Sequence, residues 1–67
     1  MITLADQIAE AQRELALRKR LYPGWIKRGP LSEGEATYFL TVMEAIVQTL
    51  IRLDHDQHQL PLFRKAH

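Results

Sequence analysis

The 67-residue sequence predicts an all-α protein: a two-helix antiparallel hairpin that pairs with a second copy into a four-helix bundle and carries a mobile C-terminal tail. Three observations predict it. Apolar residues recur at steps of three and four in two long segments. Pro23, Gly24, Gly29 and Pro30 punctuate the stretch between them. The apolar surface of the second segment is wider than one partner helix can cover, which calls for a further helix pair. The boundaries that follow are a hairpin over residues 1–54 and an extended tail over 55–67. Within the hairpin, helix 1 covers about 3–21, a corner 22–31, and helix 2 about 32–54.

Helix 1 opens at Thr3, a suitable N-cap, with Asp6 three residues later as its capping-box partner. Leu4, Ile8, Ala11, Leu15 and Tyr22 fall on one face, with Arg18 in the one polar slot. Asp6, Glu10 and Glu14 come early and Arg18, Lys19 and Arg20 late, which complements the helix dipole at both ends. Glu14 and Arg18 form a favourable i,i+4 pair. Pro23 lacks an amide hydrogen and disfavours helical geometry at Tyr22, so the helix is expected to break or kink there. Residues 23–28 then form a short helical turn or irregular corner, with Trp25 folded back over the hairpin tip.

Helix 2 opens with a capping box, Ser32 followed by Glu35, with Leu31 placed to begin a hydrophobic staple. Ala36, Phe39, Met43, Ile46, Leu50 and Leu53 step by three and four. Leu40, Val47 and Ile51 form a second stripe beside them, and Thr37, Thr41, Glu44, Gln48 and Arg52 make the polar side. The expected core and dimer contacts are therefore Phe39, Leu40, Met43, Ile46, Val47, Leu50 and Leu53. The pattern ends near Leu53 and passes into the polar run Asp54–His58.

A chain this short is marginal as a lone core, and with no cysteine it has neither disulfides nor thiolate metal sites to compensate. Oligomerisation is the remaining route. Nine Lys and Arg against eight Asp and Glu give a formal charge of +1, which does not suit a general nucleic-acid binder. No apolar run approaches the roughly 18 residues of a membrane span, and the N-terminus lacks a signal-peptide pattern. A cytoplasmic, membrane-free protein is expected.

No catalytic constellation is visible, so no enzymatic role and no cofactor is expected. Ser32, the only serine, is explained as a cap. His55 and His58, three apart and flanked by Asp54 and Asp56, could face one metal from a helix. Two ligands do not complete a site, and a polar helix end explains them as well. Arg18, Lys19, Arg20, Lys27 and Arg28 make a possible basic patch at the tip. For the first three, the helix end is the simpler reason. In the tail, Leu60, Leu62 and Phe63 cannot join either helical stripe in register. They are either a partner site or a fold-back cap on the open end of the bundle.

Gln59-Leu60-Pro61-Leu62-Phe63 resembles the Gln-Leu-x-Leu-Phe pentapeptide by which many proteins bind the bacterial DNA-polymerase sliding clamp. A chance match in a chain of this length is on the order of one in a thousand from ordinary residue frequencies. The resemblance implies that Leu62 and Phe63 anchor in an apolar cleft, Leu60 packs along its rim, Gln59 hydrogen-bonds beside it, and Pro61 pre-shapes the peptide. Glu14-Leu15-Ala16-Leu17-Arg18, Tyr22-Pro23-x-Trp25, Gly29, Met43-Glu44-Ala45-Ile46 and Thr49-Leu50 resemble a family of small phage and prophage proteins of mostly unassigned function, over roughly residues 4–53. The resemblances together imply a phage-derived module that docks on the clamp of a bacterial host and modulates replication. By size and architecture the chain is also similar to small phage helical hairpins that inhibit host regulators, including quorum-sensing regulators. The alternative expectation is thus an inhibitor acting through its helical body.

Overall fold

The computed structural model describes the backbone of residues 1–66 and the side chains of residues 1–58. Two helices, α1 (Leu4–Arg28) and α2 (Glu33–Ala66), pack against each other as a hairpin, and no strand occurs among the described residues. Both N-termini are closed by the reciprocal caps that the sequence predicts. The Asp6 amide donates to Thr3 Oγ1 at 3.1 Å and the Thr3 amide to Asp6 Oδ2 at 3.0 Å. The Glu35 amide donates to Ser32 Oγ and the Ser32 amide to Glu35 Oε1, each at 3.0 Å. Each box satisfies donors that a helix start otherwise leaves unpaired.

The corner is shorter than the expected span of 22–31. Pro23 does not end α1; the helix runs through it to Arg28. Proline inside a helix removes one hydrogen bond and costs about 3 kcal/mol or more. Packing on both sides of Pro23 offsets that cost: Tyr22 before it is buried, the Tyr22 ring centroid lies 5.6 Å from that of Trp25, and Ile26 is half-buried. The stop is Gly29, which adopts φ 104°, a left-handed conformation open to glycine at little cost. Its amide donates to the carbonyls of Trp25 and Ile26 at 3.0 and 3.2 Å. Trp25 stays 38% exposed, so it borders the tip and does not cover it.

Helix α2 also outruns its expected end near 54. Asp54–His58 is helical, and this polar run lies beside the start of α1. Asp54, Gln57 and His58 border one hollow with Ile2, Thr3 and Leu4. His58 Nδ1 comes within 3.7 Å of the Asp54 carboxylate one turn earlier. The peptide Gln59–Phe63, with its alternative of folding back on the bundle, lies outside the residues whose side chains are described.

Between the helices, α1 contributes the inward face read from the sequence: Leu4, Ile8, Ala11, Leu15 and Arg18 half-buried and Tyr22 buried. From α2, Ala36, Leu40, Met43, Val47 and Leu50 face inward. Tyr22, Ala36, Met43 and Val47 are the only buried side chains among the described residues, and none of them is completely enclosed. One expectation about length needs correcting. The stretch Glu33–His58 is, by length and composition, long and apolar enough to cross a bilayer, with a mean hydropathy of 1.2 over 18 residues. Averaging hides the isolated polar positions Glu44 and Gln48 that interrupt the run.

Candidate protein-interaction surface

The two apolar stripes of α2 do not share one destination. At 100° per residue, Ala36, Leu40, Met43, Val47 and Leu50 project together toward α1. Phe39, Val42, Ile46 and Leu53 project about a quarter-turn away. These four side chains are 38%, 37%, 44% and 46% exposed. The predicted core set is thereby divided: Met43 and Val47 are buried, Leu40 and Leu50 half-buried, and Phe39, Ile46 and Leu53 face outward. Val42 was missed. It becomes legible once positions 39, 42, 46, 49 and 53 are read as a heptad of their own.

Helix α1 extends this face at the tip. Leu17, Leu21 and Trp25 line an open groove with Phe39, about 320 Å³ in volume. At its edge Arg18 Nε donates to Glu14 Oε2 at 2.9 Å, so the one charge in the α1 stripe is paired as its spacing predicts. Farther from the tip the same side carries a second hollow between Ala11 and Glu14 of α1 and Met43 and Leu50 of α2. The opposite side of the hairpin is more polar. It holds the Lys19–Glu44 ion pair at 3.8 Å, the one described ion pair that links the two helices.

The basic patch is therefore only partly free. Arg18 and Lys19 are engaged by Glu14 and Glu44, while Arg20, Lys27 and Arg28 are exposed. The Arg28 guanidinium lies back along the helix toward Gly24. Tyr22 and Trp25 pack on each other beside these charges. His55 and His58 are exposed, and among the described residues no group of three His, Cys, Asp or Glu side chains could hold a metal ion. All carboxylates with displaced pKa values do local structural work. Asp6 and Glu35 are held below the usual carboxylate range by the backbone amides of Thr3 and Ser32, and Glu10 by its hydrogen bond from Arg13.

Comparison with protein families, with characterised proteins and with solved structures yields no match. The surface itself thus carries the functional argument.

Proposed function

We propose that this chain is a non-enzymatic protein–protein interaction module, cytoplasmic and phage-derived, that self-associates and binds the bacterial sliding clamp through Gln59, Leu60, Pro61, Leu62 and Phe63. The observation that carries the module reading is the outward apolar row Phe39, Val42, Ile46 and Leu53, continued at the tip by Leu17, Leu21 and Trp25. An apolar row of this length, beside only four buried side chains among the described residues, suits a surface that is covered in the working state. Pairing through it would complete a four-helix bundle.

What supports the clamp as partner is the sequence Gln-Leu-Pro-Leu-Phe, which satisfies every specified position of the clamp-binding pentapeptide. Two tethered peptides on a dimer would gain effective concentration on a ring with one cleft per subunit. Titration of purified clamp with the wild-type chain and with a Leu62→Ala, Phe63→Ala double variant tests this. The expected result is loss of binding in the variant with helicity and self-association unchanged. Equal binding by both, or binding by neither, removes the clamp from the proposal.

A second reading is favoured by the tip groove: the body masks a host regulator and the tail is structural. The same double variant would then lose thermal stability, while Trp25→Ala and Phe39→Ala would lose the partner. Duplex DNA is not the expected ligand at a formal charge of +1, and no cofactor or metal enters either reading.

A further inference from the structure

We propose that the outward face of α2 receives a second copy of the chain antiparallel, with Ile46 on the two-fold axis; this rests on the self-association above and adds its geometry. The outward row, with half-buried Leu50 at its margin toward α1, has near-palindromic spacing. Phe39 and Leu53 lie seven residues either side of Ile46, Val42 and Leu50 four, and the polar Glu35 and Gln57 close the row eleven residues out on each side. A two-fold interface needs a patch complementary to itself. Antiparallel docking supplies that: Phe39 meets the partner's Leu53, Val42 meets the partner's Leu50, and Ile46 meets its own copy. The groove of Leu17, Leu21 and Trp25 then lies over the far end of the partner helix.

Charge selects the same orientation. Three exposed cations, Arg20, Lys27 and Arg28, stand at the tip beside Glu33 and Glu35, with Arg18 and Lys19 engaged by Glu14 and Glu44, while Asp54 and Asp56 lie with Arg52 toward the other end of α2. Antiparallel docking sets each basic tip beside the partner's Asp54 and Asp56. A parallel pair would stack the two basic tips. The antiparallel arrangement sends the two C-terminal peptides out at opposite ends. His58 is twelve residues from Ile46, about 18 Å along the helix, so the two copies of His58 diverge to about 36 Å apart.

The absence of cysteine makes the test direct. Ile46→Cys, Phe39→Cys and Leu53→Cys variants of the full chain are treated with a short thiol-to-thiol cross-linker, alone and mixed, after circular dichroism has established wild-type helicity. Expected is a covalent dimer from Ile46→Cys alone, and from Phe39→Cys with Leu53→Cys only when the two are mixed. Cross-linking of Phe39→Cys to itself and of Leu53→Cys to itself would assign a parallel pair. A dimer in sedimentation equilibrium with neither pattern would place the interface elsewhere. Either result overturns the geometry and leaves self-association standing. A wild-type chain monomeric at every concentration overturns both, and partition of that monomer into phosphatidylcholine vesicles would assign the apolar row to a bilayer.

Discussion

Gly29→Ala should destabilise the hairpin by about 1 kcal/mol, and the two other glycines should respond in the opposite sense. Gly29 sits at φ 104°, where an L-residue pays roughly 1–2 kcal/mol for the approach of its Cβ to the backbone. No atom lies within 4 Å of the added methyl, so no packing clash contributes. Reduced freedom of alanine in the unfolded chain offsets about 0.4–1 kcal/mol of that loss. The net is near 1 kcal/mol, about 4–8 °C in Tm for a domain of this size. Gly24 and Gly34 lie inside helices at ordinary φ. A Cβ at Gly24 meets only the mobile guanidinium of Arg28, at 3.3 Å, and at Gly34 only Ser32 Oγ at 4.0 Å. Alanine at either position should add roughly 0.5–1 kcal/mol. Thermal and urea unfolding followed by circular dichroism, at one fixed protein concentration, measures all three. A Gly29→Ala protein as stable as wild type, or one that shifts in the same direction as Gly34→Ala, would refute the assignment of Gly29 as the stop of α1.

Two further outcomes are expected. Met43→Ala, at 7% exposure, should cost about 2 kcal/mol, the low end for such truncations, because the site borders a surface hollow that solvent can enter; urea unfolding checks this. Helicity should fall on acidification, since Asp6 and Glu35 have folded pKa values below their unfolded ones. Their contribution is present above the unfolded values and disappears as pH drops through the folded values, below about pH 4. A pH titration of ellipticity in the wild type and in Glu35→Gln follows it, and the variant should show the shallower decline.

Local rules were the legible ones. Thr3 with Asp6 and Ser32 with Glu35 announce both helix starts because a capping box is completed within four residues. The inward face of α1 was equally readable, since a single stripe with one polar slot has one interpretation. Pro23 misled because its penalty is local while the compensation is tertiary, through Tyr22, Trp25 and Ile26. The stronger stop signal was Lys27-Arg28-Gly29-Pro30, cations in the last turn followed by the left-handed glycine and a proline. On α2 the periodicity located an apolar surface but not its division, because stripes a quarter-turn apart satisfy the same three-and-four spacing. Only the position of α1 separates Met43 and Val47 from Phe39 and Ile46. The polar run Asp54–His58 lost its amphipathic signal while its backbone stayed helical beside the start of α1.

The short connection at the tip has a kinetic consequence. With Gly29 and the Ser32 cap only three residues apart, the first contacts between helices join neighbours in sequence, such as Tyr22 and Ala36, and closing so small a loop forfeits little chain entropy. Pairing can then advance like a zipper, each turn bringing the next within reach, and terminates where Leu4 meets the level of Asp54. Low contact order of this kind places folding of the hairpin in the microsecond-to-millisecond range. Concentration-dependent assembly of two hairpins would then appear as a separate, slower phase.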